Sequence, residues 1–83
     1  MQVRVRYFAS IREALGTGES VEVGPGTHVG GLRDALIARS PEHARVLARG
    51  RALRSALDHV LCDDAAVIAD GAEVAFFPPV TGG

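Results

Sequence analysis

The chain has no lysine, no tryptophan and a single cysteine among its 83 residues. Without lysine there is no Walker-type phosphate lysine, no Schiff base and no side-chain amine open to modification, and only the terminal amine remains. All nine cationic residues are arginines. One cysteine, Cys62, excludes a disulfide framework and a CxxC metal or redox pair, and reads as a small buried side chain near a strand end. The N-terminus alternates valine and arginine where a signal peptide would carry an apolar run, and no apolar stretch is long enough to span a bilayer. The expected setting is a reducing cytoplasm, with no membrane partner. A formal net charge of -1 does not favour nucleic acid as a partner. The basic run Arg45, Arg49, Arg51 and Arg54 has no aromatic interleaved to stack on bases, so it reads as a solvated face.

Reactive constellations are scarce too. His28, His43 and His59 fall on three different predicted elements without zinc or His-x-x-x-His spacing, which predicts no metal site and satisfied or solvated imidazoles. Asp63-Asp64 is an adjacent pair near a turn, the usual place for solvated acids. Gly24-x-Gly26 lacks the rest of a dinucleotide fingerprint, so no cofactor is expected on this chain.

What is present is one short domain with ordinary globular composition, 47% hydrophobic and 23% charged, large enough to fold alone. Gln2 to Phe8 alternates with period two, Val3, Val5 and Tyr7 on one side and Arg4, Arg6 and Phe8 on the other. Ser10-Ile11-Arg12-Glu13 has capping-box spacing and Gly16 can stop the short helix it opens. Glu19 to Val23 alternates again and ends at Gly24-Pro25-Gly26. From Thr27 or His28 to Arg39 the period becomes helical, with Val29, Leu32, Ala35, Leu36 and Arg39 on the packed side and Arg33, Asp34 and Ala38 elsewhere. Gly30-Gly31 in its first turn costs about 1 kcal/mol per glycine, with no compensation visible in the sequence. Ser40-Pro41-Glu42 opens a further helix ending near Gly50. Leu53 to Leu61 reads as a third strand, residues 65–69 as irregular, and Glu73 to Phe77 as the last strand, with Glu73, Ala75 and Phe77 sharing a face. This is an α+β pattern, a mixed sheet packed on one main helix with additional short helices. If the first and last strands are neighbours, Phe8 and Phe77 form an apolar spot on a polar face, which suggests docking.

Residues 1–77 form the domain, and 78–83 are an extended tail, Pro78-Pro79-Val80-Thr81-Gly82-Gly83. Two prolines cannot extend a sheet ladder and hold the backbone extended, and the glycines leave the terminal carboxylate unobstructed. At about 3.1 Å per residue the tail carries that group roughly 15 to 20 Å from the sheet, far enough to enter a channel in another protein. A carboxylate is a poor electrophile until it is converted to an acyl adenylate. With no nucleotide loop here, ATP must be used by a separate activating enzyme, after which a sulfur donor can leave a thiocarboxylate on Gly83.

The stretches Val5-Arg6-Tyr7-Phe8-Ala9-Ser10-Ile11-Arg12-Glu13 and Asp70-Gly71 through Glu73-Val74-Ala75-Phe76-Phe77-Pro78-Pro79-Val80-Thr81-Gly82-Gly83 resemble the MoaD family, the small sulfur-carrier subunit of molybdopterin synthase, over essentially the whole length. The chain departs from the family pattern at Asp58, where an asparagine is common, and at Ala72, where an acid is common. The resemblance implies a ubiquitin-like β-grasp fold, adenylation of Gly83 by a MoeB-type enzyme, and insertion of the tail, Pro78 to Gly82, into a MoaE-type large subunit within a heterotetramer. There the thiocarboxylate donates sulfur to cyclic pyranopterin monophosphate, with catalytic side chains in the large subunit, so the chain itself is not expected to be an enzyme. It also implies a partner interface at Phe8, Leu61 and Phe77. Related sulfur carriers for thiamine, cysteine or tRNA thiolation, a ubiquitin-like protein modifier, and a plain interaction domain are the alternatives.

Overall fold

The computed structural model describes residues 1–79. Its elements in chain order are β1 (Gln2–Tyr7), α1 (Ala9–Leu15), β2 (Gly18–Glu22), α2 (Val29–Ile37), α3 (Pro41–Leu47), β3 (Arg54–Leu57), β4 (Val60–Cys62) and β5 (Glu73–Phe77). The strands form one mixed sheet in the order β2-β1-β5-β3-β4. β1 pairs antiparallel with β2 and parallel with β5, and its alternation puts Val3, Val5 and Tyr7 in the core while Gln2, Arg4 and Arg6 meet solvent. Val74 and Phe76 of β5 lie beside Val5 and Tyr7 and are fully buried. Against this inner face pack Ile11 of α1, Val29, Leu32 and Leu36 of α2, Val46 and Leu47 of α3, and Ile68. The expected α+β architecture is the observed one, with α2 as the main helix.

Four local expectations fail, each for a physical reason. Helix α1 starts at Ala9, not behind a Ser10 cap: the Phe8 N–H bonds Phe76 O at 3.2 Å, which keeps residue 8 extended and makes it the N-cap. Gly16 ends α1 as expected, at φ 89° with its N–H on Arg12 O. The single strand expected over 53–61 is a hairpin, β3 and β4 joined by Asp58-His59 at φ 47° and 70°. Two positive φ values are those of a type I′ turn, which usually advertises itself with glycine or asparagine. The Asp58 carboxylate accepts the Glu73 N–H at 3.0 Å and so ties the turn to β5.

The stripe that α2 buries is Val29, Leu32, Arg33 and Leu36, a regular i, i+3, i+4, i+7 set, while Ala35 and Arg39 are exposed. Arg33 is only 6% exposed because α3 covers that flank. Its Nε donates to Leu47 O at 2.7 Å, and Nη2 donates to Ala48 O at 2.6 Å and Arg51 O at 3.1 Å. The guanidinium thereby takes up the carbonyls of Leu47 and Ala48 at the C-terminus of α3 and of Arg51 in the loop beyond; the helix ends at Leu47 rather than near Gly50 because Ala48 turns extended, at ψ 144°. Its start is as expected: Ser40 Oγ accepts from the His43 N–H, with Pro41 in the first turn.

The glycine pair in α2 is explained by space. A Cβ on Gly30 would stand 3.0 Å from Asp64 Cβ and 3.2 Å from Arg49 Nη2, while one on Gly31 would meet only Thr27 Cγ2 at 3.4 Å. Arg49 bridges here, pairing with Asp34 and Asp64 and donating to Gly30 O, and the Gly30 N–H bonds Asp64 O. Gly31→Ala is therefore expected to stabilise the fold by about 0.5–1 kcal/mol, and Gly30→Ala to destabilise it despite the same propensity gain. Urea unfolding of both variants checks the contrast.

Candidate functional site

Register places the outward-facing side chains. Ala56 of β3 sits between Ala75 of β5 and Leu61 of β4, and one rung along, Arg54 faces Phe77. Extending the β1·β5 register one residue past Tyr7 and Phe76 brings Phe8 beside Phe77. Phe8, Phe77 and Leu61 thus share the face opposite the helices, with two alanines as a shallow floor between Phe77 and Leu61. Leu61 is 67% exposed and Phe8 39%. Phe77 is half-buried, less open than its outward position suggested, because β5 is a central strand with a neighbour on each side.

Cations rim this apolar area. The Arg6 guanidinium carbon stands 5.5 Å from the centre of the Phe8 ring. Arg4 and Arg6 both reach within 4.0 Å of Glu73 Oε1, and His59 Nε2 lies 3.6 Å from Oε2 of the same carboxylate. Arg54 adds an exposed cation next to Phe77. Cys62 is half-buried at the end of β4, where burial and then the neighbouring Asp63 and Asp64 carboxylates push its thiol up. Among the described residues no group of His, Cys, Asp and Glu can hold a metal ion.

Sequence reasoning missed one polar cluster. Glu19 Oε2 accepts from Tyr7 Oη at 2.6 Å and lies 2.8 Å from His43 Nε2, His43 Nδ1 lies 2.7 Å from Ser40 Oγ, and Arg39 approaches Glu19 at 3.5 Å. Serine, histidine and glutamate in a row resemble an acyl-transfer triad, but Ser40 Oγ is engaged as the α3 cap, accepting from the His43 N–H. The cluster is a tether between the β2 edge and α3. Glu19 faces inward opposite Val5, so the only hint in the sequence was an acid at an apolar position of the β2 alternation.

Burial pushes the Glu19 carboxyl up, but hydrogen bonds from His43 and Tyr7 and the charges of His43 and Arg39 outweigh it and hold the group below the ordinary carboxylate range. A depressed folded value means that this stabilisation is complete above the unfolded pKa of about 4.3. It is lost as pH falls through the folded value. Glu19→Gln is expected to cost about 1 kcal/mol at pH 7 and to flatten the acid limb of a stability-against-pH curve. An unchanged acid limb would show that the tether does not carry it.

Of the expected tail, Pro78 is half-buried and Pro79 exposed, while Val80, Thr81, Gly82 and Gly83 lie outside the described residues. Pro78 lines a hollow of about 460 Å³ between α1 and α3, with Ile11, Arg45, Val46, Arg51 and Leu53 among its walls. Pro78 and Pro79 therefore continue from β5 at the same end of the sheet as Phe8 and Phe77.

Residues 5–83 match the family model described as ThiS family. The chain belongs to the ThiS family. This ThiS-family chain is 38% identical over 81 residues to the molybdopterin synthase sulfur carrier subunit of Escherichia coli (strain K12), covering 98% of itself and 99% of that protein. Among solved structures it superposes on SAMP1 from Haloferax volcanii with a TM-score of 0.80 and 25% identity, covering 100% of both chains. It also matches a chain in the complex of subunits 1 and 2 of the molybdopterin-converting factor from Helicobacter pylori 26695, with a TM-score of 0.70, 26% identity and 100% of both chains covered. The ThiS-family fold is the ubiquitin-like β-grasp expected from the sequence. Within it Ala72, at a position where an acid was the expected type, is buried against the core.

Proposed function

We propose that this chain is a sulfur carrier in molybdenum cofactor biosynthesis. A separate MoeB-type enzyme adenylates the Gly83 carboxylate with ATP, making AMP the leaving group, and a sulfur donor system then replaces it to give a thiocarboxylate. The tail enters a MoaE-type large subunit, within a heterotetramer, and the sulfur attacks cyclic pyranopterin monophosphate. The carrier contributes the reactive sulfur and the large subunit contributes the catalytic side chains. The cytoplasm is the proposed setting. Among the described residues no helix is long and apolar enough to cross a membrane.

The observation that carries this reading is the full-length likeness to a sulfur carrier subunit, joined to an apolar face at the root of the tail. Phe8, Leu61 and Phe77 are the proposed contact with the large subunit. Leu61→Asp is expected to weaken that contact by about 2 kcal/mol, some thirtyfold, and to change stability by less than about 0.5 kcal/mol, since Leu61 stands in solvent. Titration calorimetry and thermal melts separate the two effects, and equal losses in both would remove Leu61 from the interface. Reconstitution with the large subunit and pterin precursor tests the function itself. The likeness to SAMP1 favours a second reading, a protein modifier joined through Gly83 to a partner's lysine. An isopeptide-linked adduct isolated from cells would establish it.

A further inference from the structure

A protein whose end is an activated acyl group must avoid capturing that group itself. We infer that this chain is a donor only in amide formation: its body offers no amine that forms an amide bond with its own activated end or with that of a second copy. It can therefore terminate an amide-linked conjugate but not accept one. The inference rests on the reading of Gly83 as the acylating residue, and it holds for the sulfur-carrier and modifier routes alike.

In the excluded reaction an amine nitrogen attacks the Gly83 carbonyl carbon. A C–N bond forms, the C–O bond to AMP breaks, AMP departs with the electron pair, and the nitrogen gives one proton to solvent. Each candidate attacker is disabled in its own way. There is no lysine. The Met1 ammonium donates to Glu22 Oε2 at 2.9 Å and to Val23 O at 2.7 Å. Because β1 and β5 run parallel, it also sits at the opposite end of the sheet from the tail. The Cys62 thiol is half-buried and flanked by two carboxylates, conditions that suppress the thiolate needed for attack. The Tyr7 hydroxyl is spent on Glu19 in a side chain only 1% exposed, and both ring nitrogens of His43 are engaged. His28 and His59 are exposed, but an acyl-imidazole is hydrolysed by water and leaves no conjugate.

The nine arginines supply what lysines would otherwise supply, surface charge and ion pairs such as Arg49 with Asp34 and Asp64, in a form that stays protonated and cannot attack. The all-arginine composition thus has a chemical consequence at the tail.

The test uses the full chain prepared chemically as a C-terminal thioester, so it does not depend on any activating enzyme. The thioester is held at mildly alkaline pH and followed by intact mass. The expected product from the wild type is the hydrolysed acid alone, while added hydroxylamine gives the hydroxamate and so shows the acyl group to be live. Arg54→Lys places an amine on the exposed neighbour of Phe77 and is expected to yield cyclised chain or covalent dimer. Amide-linked dimer or cyclised chain from the wild type would overturn the inference. So would their absence from both chains, because the missing lysines would then be irrelevant. Failure of an adenylating enzyme to act on Gly83 would instead sink the sulfur-carrier reading and leave this result standing.

Discussion

A chain lacking Gly83 is expected to lose sulfur transfer while melting within about 2 °C of the wild type. The deletion leaves a Gly82 carboxylate, chemically equivalent but one residue short, about 3.1 Å in the extended form expected from the sequence. Misplacement by 1 Å already costs on the order of 100-fold where reacting atoms must meet at near-attack distance, so an error three times larger brings turnover to background. Stability is spared because the core is closed by Val74 and Phe76, several residues upstream. Turnover is read by molybdopterin formation with the large subunit and precursor, and stability by calorimetry. Retained turnover, or a large fall in melting temperature, would contradict the placement of the chemistry at the chain end.

The second large effect is structural. Replacing Arg33 with leucine is expected to destabilise the fold by about 2–4 kcal/mol, because hydrogen bonds from a charged donor are worth about 1.5–3 kcal/mol and the abandoned carbonyls of Leu47, Ala48 and Arg51 cannot all find water. For a domain of this size that lowers the melting temperature by roughly 10 to 25 °C. Burial holds the Arg33 guanidinium below its ordinary value, with Arg49 acting in the same direction and Asp64 and Asp34 against it, yet arginine stays charged throughout the accessible range. Lysine at 33 is expected to recover only part of the loss, because one ammonium cannot reproduce a planar fork reaching three carbonyls. Urea unfolding of the leucine and lysine variants measures both. A leucine variant as stable as the wild type would show that α3 caps itself.

The sheet was legible because alternation in β1, β2 and β5 is a direct readout of one buried and one wet face, as Val3, Val5 and Tyr7 against Arg4 and Arg6 illustrate. The same alternation identified Phe8 and Phe77 as outward, and parallel pairing of β1 with β5 brought them together. What was not legible depended on partners distant in the chain. Arg33 reads as a surface cation until α3 folds over it. The Asp58-His59 turn hides in an apolar run because neither residue is glycine, and the hydrogen bond from Glu73 that holds Asp58 in place comes from 15 residues away. The Ser10 capping box lost to a backbone bond between Phe8 and Phe76, a tertiary contact that local spacing cannot express. Gly30 looked like a helix flaw and proved to be clearance for Asp64 and Arg49. The proposal of Leu61 as a contact residue came from family resemblance alone, and register sets it on the same face as the two aromatics.

The most direct test of the account is intact-mass analysis with fragmentation after incubating the chain with a MoeB-type enzyme, ATP and a sulfur source. The account predicts that one oxygen is exchanged for one sulfur and that fragmentation locates the change at Gly83. A gain of a whole sulfur atom at Cys62, or no sulfur incorporated under conditions that load a known carrier, would contradict it.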